Sequence, residues 1–260
     1  MSSESISLYV ARESGLHRLH PLTKLALAGL LLAGGLALPQ AWMTYVFFAA
    51  VVLPIALWGR VAGALLRAIW PIALPFAISL LLVRGLLWPS GTPLVALGPL
   101  SLKEEGLQFA AVIVGRILVV TGSFVLLSLT TRPDALMIAL AQRGLPGTIT
   151  YIMLASLQIV PRFQAKARSI LAAQQSRGLE IGGNILKRIR ALVPLVIPLI
   201  LGSIVDIEER AMALEARAFS LPGPKTSVLI LADPPAQKAA RWLLAGGMLG
   251  LIAARIAWWR

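Results

Sequence analysis

The chain has 260 residues, of which 58% are hydrophobic and only 13% are charged. A soluble domain of this length has more polar surface to cover, so the composition indicates a membrane protein. The formal net charge is +13. The basic residues lie between and after apolar stretches, which is typical of cytoplasmic loops and makes nucleic-acid binding the weaker interpretation. The absence of cysteine excludes disulfides, thiolate zinc sites and a cysteine nucleophile.

Apolar stretches along the chain predict membrane-spanning helices, each of which needs about 20 mostly apolar residues. Residues 1–19 carry both signs of charge and no apolar core, so we expect no signal peptide and a first helix that stays in the mature protein. Glycine and proline crowd residues 89–99, which predicts a loop there. The five predicted spans run from about Leu22 to Leu38, Ala41 to Trp58, Ile69 to Leu87, Leu107 to Leu129 and Ala239 to Trp259.

Residues 130–238 differ in kind, because they keep a helical periodicity while charges recur at almost every turn. Phe163, Ala167 and Ile170 share one face of a helix, and Arg162 and Lys166 share another. We therefore predict an all-α polytopic membrane protein with three regions. They are residues 1–129, with four spans and a short cytoplasmic N-terminus; residues 130–238, a cytoplasmic domain of long amphipathic helices; and residues 239–260, the last span.

The distribution of Lys and Arg predicts that the N-terminus is cytoplasmic. In that orientation all the cations from Arg132 to Arg241 are cytoplasmic, and so are Arg12, Arg18, Lys24, Arg60 and Arg67. The reverse orientation places most of the positive charge on the outer side. The cations that remain in spans or outside are Arg84, Lys103, Arg116, Arg255 and Arg260.

Two segments of the amphipathic region repeat one pattern, in which an arginine near a helix end is flanked by small residues. An arginine in a last turn is favoured by the helix dipole, and its guanidinium projects five donors beyond the helix. Small neighbours leave room for such a tip to enter a groove on another protein, although ordinary C-capping is the alternative. Gly178 also suits the left-handed position that terminates a helix. The two segments are Ala173-Gln-Gln-Ser-Arg177-Gly178 and Ala213-Leu-Glu-Ala-Arg217-Ala218.

With these motifs the chain resembles the transmembrane (T) component of energy-coupling factor (ECF) transporters, the cobalt-transport CbiQ/EcfT type. The resemblance covers nearly the whole chain, and the paired arginine motifs are its most specific part. Two positions depart from the family pattern: Ala218 stands where the family usually has glycine, and His20 where it usually has aspartate. Other matching segments are Leu16-His-Arg-Leu-His-Pro-Leu-Thr-Lys24, Thr130-Thr-Arg-Pro-Asp134, Gly144-Leu-Pro146 and Val160-Pro161.

The resemblance implies a subunit that holds a substrate-binding membrane protein, the S component, beside two cytoplasmic ABC-type ATPases. It implies that Arg177 and Arg217 contact the ATPases, while Ala173, Gly178, Ala213 and Ala218 permit the fit. It also implies a multi-pass protein of a bacterial or archaeal cell membrane that imports a vitamin or a transition-metal ion. Substrate contacts in this family belong to the S component, so the sequence does not distinguish cobalt, nickel, biotin or another vitamin.

The rest of the sequence offers little chemistry, and we expect neither enzyme activity nor a cofactor. No Gly-x-x-x-x-Gly-Lys loop occurs, so ATP hydrolysis belongs to another chain. His17 and His20 are spaced to share one metal, but two ligands from one short segment make a poor site, so we expect no metal centre. Arg116 lies deep in the fourth span without an acidic partner in any span, and structural and functional interpretations of it stay open.

Two other classes of protein remain as alternatives. An intramembrane enzyme needs converging His, Glu or Asp within the spans, where Arg116 is the only deep charge. A self-contained secondary transporter often has two related halves, whereas this chain has a membrane part and an amphipathic part. The motifs Gly59-x-x-x-Gly63 and Gly246-x-x-x-Gly250 permit close helix contacts, but such motifs are common in membrane helices.

Overall fold

The computed structural model describes residues 12, 14–87, 93–97, 100–179, 185–221, 223 and 229–258. These residues form two compact units: one comprises those up to Gly144 together with those from Ile230 onward, and the other runs from Leu145 to Leu229. The first unit contains α1 (Pro21–Ala37), α2 (Ala41–Phe47), α3 (Leu53–Trp58), α4 (Ala62–Leu87), the hairpin β1 (Pro93–Leu97) and β2 (Leu100–Lys103), α5 (Glu104–Thr130), α6 (Pro133–Ala141) and α9 (Pro235–Trp258). The second contains α7 (Gly147–Ser176) and α8 (Ile185–Ala216).

The predicted all-α membrane architecture is confirmed. Four helical stretches of the described residues are long and apolar enough to cross a bilayer: Ala41–Trp58, Ala62–Gly85, Glu104–Thr130 and Pro235–Ala257. The first predicted span is the shorter apolar helix α1. Helix α4 begins seven residues before the predicted start at Ile69, so Arg67 lies within its first turns. The predicted loop 89–99 lies partly outside the described residues, and its described part is strand β1, which pairs antiparallel with β2 instead of forming a loop.

The second span is interrupted by a π-helical segment, Phe48–Val52, between α2 and α3. Pro54 has no amide hydrogen and cannot donate to the carbonyl of Ala50 four residues earlier. The backbone instead widens by one residue, and the Leu53 amide donates to the Phe48 carbonyl. The proline therefore explains the segment, and the chain continues as helix to Trp58.

The core of the first unit lies where α5 packs against α1, α2 and α4. Glycines allow these helices to approach closely: a Cβ on Gly34 would lie 2.6 Å from Phe47, and one on Gly122 would lie 2.9 Å from Phe48. Of the four glycines in the two predicted Gly-x-x-x-Gly motifs, Gly59 alone lies against another side chain in the described residues. The buried core side chains are Leu16, Leu31, Val52, Ala56, Val61, Leu65, Ile69, Ala73, Val119, Val125, Leu126 and Leu129.

Helices α1 and α5 cap each other through two cations, the buried Lys24 and the half-buried Arg116. Helix α1 has 17 residues and is about 26 Å long, which is less than the roughly 30 Å of a hydrocarbon core, so its end carbonyls need partners within the protein. At the C-terminal end of α1 the Arg116 guanidinium of α5 donates to the Leu38 carbonyl at 3.4 Å. At the opposite end the Lys24 ammonium of α1 donates to the carbonyl of Thr130, the last residue of α5, at 2.7 Å. Each helix thus supplies a donor to the C-terminal end of the other.

Candidate docking site at two helix ends

The predicted arginine motifs lie at the C-terminal ends of α7 and α8. Helix α7 ends at Ser176, with Arg177 as the residue that caps it. Helix α8 ends at Ala216, directly before Arg217. The Pro161 ring is accommodated within α7, and Pro194 and Pro198 are accommodated within α8. The two helix ends therefore fall where the sequence pattern predicts them.

The end of α7 closes with a Schellman motif, the pair of backbone hydrogen bonds that satisfies the last carbonyls of a helix. The Leu179 amide donates to the Gln174 carbonyl at 3.0 Å, and the Gly178 amide donates to the Gln175 carbonyl at 3.0 Å. Gly178 has φ +91°, a left-handed conformation that glycine adopts without strain. This confirms the terminating role predicted for Gly178.

The end of α8 has the same two hydrogen bonds as the end of α7. The Phe219 amide donates to the Leu214 carbonyl at 3.0 Å, and the Ala218 amide donates to the Glu215 carbonyl at 2.8 Å. Ala218 has φ +58°, so its Cβ is crowded against the following carbonyl, at a cost of about 1 to 2 kcal/mol. Ala218 therefore occupies a conformation that glycine favours. The two arginine ends are equivalent although one has alanine where the other has glycine.

Both arginines and all their small neighbours are exposed. The residues Ala173, Arg177, Gly178, Ala213, Arg217 and Ala218 all belong to the exposed class. Within the described residues neither the Arg177 nor the Arg217 guanidinium has a hydrogen-bonding or ion-pair partner. The nearby Glu215 carboxylate instead accepts a hydrogen bond from the Ser220 hydroxyl. Within the described residues, each helix end therefore presents an unpaired guanidinium among small, exposed side chains.

An ion pair in the middle of the second unit ties α7 to α8. The Lys166 ammonium donates to the Gly202 carbonyl at 2.6 Å and pairs with the Asp206 carboxylate at 2.7 Å. A side chain at position 202 would collide with this lysine, because an added Cβ would lie 2.7 Å from its Nζ. Lys166 and Asp206 also line a cleft of about 180 Å³, together with Ile159, Arg162, Phe163, Ser203, Ile207 and Arg210.

The two helices of this unit are antiparallel, which separates the arginine ends. Tyr151 near the start of α7 packs on Phe219 just past the end of α8, with ring centroids 5.2 Å apart. Arg217 therefore lies beside the start of α7. At about 1.5 Å per residue, Arg177 lies about 39 Å along α7 from Tyr151. The unit thus presents two equivalent tips at opposite ends of a helix pair.

The other predicted position of interest, Arg116, is half-buried in α5. One of its guanidinium nitrogens donates to the Leu38 carbonyl, while its Nε is buried without a hydrogen-bonding partner in the described residues. The arginine end motifs belong to the second unit, and Arg116 belongs to the first.

His20 is the other departure from the family pattern, and it caps α1. Its Nδ1 accepts a hydrogen bond from the Leu22 amide at 3.3 Å and lies 3.2 Å from the Arg241 guanidinium. Arg241 in turn pairs with the Asp233 carboxylate at 2.7 Å, and Arg143 pairs with the same oxygen at 2.8 Å. An aspartate also caps helices well, so the capping role of this position is compatible with either residue. Neither this network nor the Lys166 ion pair was predicted, because each joins residues far apart in the sequence.

We expect the His20 cap to weaken in mild acid. Burial lowers the pKa of His20 from its usual 6.5, and Nδ1 must stay unprotonated to accept its bonds. The neutral form is therefore favoured by folding, and its stabilisation is complete above pH 6.5 and declines as the pH falls toward the folded pKa. The side-chain hydrogen bond from Arg241 holds the pKa of Asp233 below its usual value, so the stabilisation from the ionised form of Asp233 is lost only in stronger acid. Melting temperatures in detergent at pH 7.5 and 5.5 should show this loss.

The control for this prediction is His20→Asn, which keeps a capping acceptor but does not titrate. The variant should lose less of its melting temperature than the parent between the two pH values. His17 is unchanged in both proteins, so it does not affect the comparison. An equal loss in parent and variant would show that the cap is not the acid-sensitive group.

The fold and the site together define a polytopic helical membrane protein with a second unit built from a tied, antiparallel helix pair. The cobalt transport protein family, CbiQ, matches residues 12–228 of the chain. The chain therefore belongs to the CbiQ/EcfT family of energy-coupling factor transporter transmembrane proteins.

Several relatives carry the name energy-coupling factor transporter transmembrane protein EcfT. The protein of Lacticaseibacillus paracasei is 33% identical, with 94% of this chain and 94% of the relative covered. That of Heliobacterium modesticaldum is 31% identical, with 83% of this chain and 84% of the relative covered. That of Listeria innocua is 31% identical, with 84% and 86% covered. The similarity therefore extends across most of the chain, and the family match over residues 12–228 spans both arginine motifs.

Proposed function

We propose that the chain is the T component of an ATP-driven importer, which transmits the movement of two cytoplasmic ABC-type ATPases to a membrane S component. The observation that carries this proposal is the pair of equivalent helix ends. Each ends in a Schellman motif, and each presents an exposed, unpaired arginine. Arg177 and Arg217 are the proposed ATPase contacts, and Ala173, Gly178, Ala213 and Ala218 leave space for the grooves that receive them.

The separation of the tips suits two ATPases better than one. Two tips about 39 Å apart along α7 are too distant for one groove, whereas each can enter an equivalent groove on its own ATPase. When the ATPases approach one another on binding ATP, both ends of the helix pair are displaced. The Lys166–Asp206 ion pair and the Gly202 contact join the helices at mid-length, so the displacement of one helix moves the other.

Exposed apolar side chains on α7 and α8 provide a surface for the S component. In the isolated chain Ile207 is 64% exposed, and Ile200 is 52% exposed. Large apolar surfaces on a protein of this kind mark contacts with another protein or with lipid. The reorientation of the S component would follow the movement of this surface. In this proposal the chain itself is not an enzyme, since ATP hydrolysis takes place on the partner ATPases.

The proposal includes an orientation, with the N-terminus and residues 130–238 on the cytoplasmic side of a bacterial or archaeal cell membrane. Cysteines introduced singly at Ser169 and Ser220 should react with an impermeant thiol reagent only after the membrane is opened. A cysteine at Gln40, between the first two spans, should react in intact cells. All three residues are exposed, and the chain contains no cysteine of its own, so no native background interferes. The opposite labelling pattern would overturn the orientation and the coupling role with it.

Reconstitution tests the function itself. The chain should copurify with two ATPases and an S component encoded near it, and the complex should take up substrate in proteoliposomes only when ATP is supplied. Cobalt, nickel and biotin, each radiolabelled, form the first panel of substrates. Omitting the ATPases should abolish uptake. ATP-independent uptake by the chain alone would instead support a secondary transporter, and hydrolysis of an added substrate by the chain alone would support an intramembrane enzyme.

A further inference from the structure

The groove between α1 and α9 is a second surface whose occupant the proposed function does not explain. These helices run parallel, because the start of α1 contacts the start of α9 through His20 and Arg241, and Gly29 farther along α1 lies against Met248. Beyond Gly29 a cavity of about 390 Å³ opens between them. It is lined by Gly29, Leu32, Ala33, Leu36 and Ala37 of α1 and by Met248, Ile252, Arg255 and Ile256 of α9.

The lining of this α1/α9 groove is apolar except at one end. Gly29, Ala33 and Ala37 follow one another at intervals of four residues, so the α1 side has almost no side-chain bulk. Met248, Ile252 and Ile256 repeat the same interval on α9 and form the opposite wall. The groove from Gly29 to Ala37 is about 12 Å long, which is most of the roughly 15 Å depth of one leaflet of hydrocarbon.

Arg255 is the one charged residue of this lining, and it lies at the level of Leu36, where α1 ends. Its side chain is partly buried, and within the described residues it has no hydrogen-bonding or ion-pair partner. A guanidinium held beside a hydrocarbon layer without a counter-ion is costly, and a phosphate can satisfy it with two parallel hydrogen bonds. The groove is therefore apolar between Gly29 and Ala37, and at the level of Leu36 Arg255 provides a donor that could bind a phosphate.

We propose that the α1/α9 groove binds one anionic glycerophospholipid, with an acyl chain along the Gly29–Ala37 channel and its phosphate on Arg255. The groove and a lipid molecule have matching polarity along their length. The cation lies near the ends of the helices, where a headgroup would be, and the apolar side chains lie toward their middle, where an acyl chain would be. The attraction between Arg255 and the headgroup selects an anionic lipid over a zwitterionic one. Because α9 packs on the rest of the first unit mainly through α1, a lipid in the groove would help hold the two helices together.

Native mass spectrometry of the purified full chain, titrated with phosphatidylglycerol or phosphatidylcholine, tests the proposal. The parent should retain one phosphatidylglycerol more tightly than phosphatidylcholine. Arg255→Gln should weaken phosphatidylglycerol binding by about fivefold or more, and Arg255→Lys should retain part of it. Ala33→Leu should block the site without changing any charge. The matched controls are Arg84→Gln, which removes a cation near the end of α4, and Ala253→Leu, which adds the same bulk to an exposed position of α9.

The possible outcomes separate the lipid from other occupants. Equal retention of the two lipids by the parent, or unchanged phosphatidylglycerol binding by Arg255→Gln and Ala33→Leu, would overturn the proposal. If these variants keep the lipid but lose a copurifying membrane subunit, the groove is a protein contact and the proposal is wrong. Variants whose melting temperature lies within a few degrees of the parent's are taken as folded. If Arg255→Gln does not fold, phosphatidylglycerol binding by Arg255→Lys, which should be weaker than in the parent, tests the proposal instead.

Discussion

Replacing both Arg177 and Arg217 by alanine is expected to abolish transport while leaving the protein folded and inserted. Neither guanidinium has a protein partner in the described residues, and the backbone bonds that close both helix ends do not involve these side chains. The free energy of folding should therefore change little. At an interface, the loss of one desolvated and charged hydrogen-bonding group costs a few kcal/mol, so each single variant should retain the ATPases at least about tenfold less well.

Two further variants make this prediction specific to the shape of the arginine. Lysine at either position should rescue poorly, because a point charge does not reproduce a planar fork of donors. Arg168→Ala removes an exposed cation from the same helix α7, away from its end, and should leave ATPase capture unchanged. Capture of the ATPases followed by uptake into proteoliposomes is the measurement. If the double alanine variant keeps both the complex and the uptake, the motifs are helix caps only.

Ala218→Gly provides the complementary control at the second helix end. Ala218 has φ +58°, and glycine relieves the crowding of its Cβ in that conformation. The substitution also leaves Arg217 in place, so capture of the ATPases should be at least as strong as in the parent. If Ala218→Gly has a higher melting temperature and unchanged uptake, the backbone conformation of the helix end affects stability, whereas transport depends on Arg217.

The spans and the helix ends could be predicted because local sequence determines them. Hydropathy indicates which segments lie in lipid. A glycine just after the last helical turn indicates a residue in the left-handed conformation, as at Gly178. The left-handed Ala218 could be predicted only from its equivalence to Gly178, because alanine alone does not favour that conformation. The charge asymmetry likewise predicts an orientation, which the labelling experiment is designed to test.

The contacts between helices could not be predicted, because they join distant residues and leave little trace in the sequence. In a bilayer every face of a helix is apolar, so periodicity does not identify the face that packs. His20 meets Arg241 across most of the chain, and Lys166 meets Asp206 on the neighbouring helix. The Gly-x-x-x-Gly motifs gave little guidance: Gly246 and Gly250 face open space in the described residues, whereas Gly34 and Gly122 lie at close contacts.

The mutual capping of α1 and α5 predicts that Lys24→Met is strongly destabilising. Lys24 is 6% exposed, and its ammonium donates to the Thr130 carbonyl at 2.7 Å and to the His17 carbonyl at 3.0 Å. Methionine fills a similar volume but leaves both carbonyls without this donor. Because a buried acceptor without a partner costs about 1 to 3 kcal/mol, the variant should lose about 2 to 4 kcal/mol in its free energy of unfolding.

The matched control is Lys238→Met, which removes an exposed lysine near the start of α9. It should leave stability within about 0.5 kcal/mol of the parent, as substitutions on exposed surfaces do. Thermal unfolding in detergent measures both variants, and the loss expected for Lys24→Met corresponds to a melting temperature lower by about 5 to 10 °C. Transport by Lys24→Met should fall in proportion to the amount of folded protein. A Lys24→Met variant as stable as the control would show that the carbonyls of Thr130 and His17 find other donors, and that α1 and α5 are held together by packing alone.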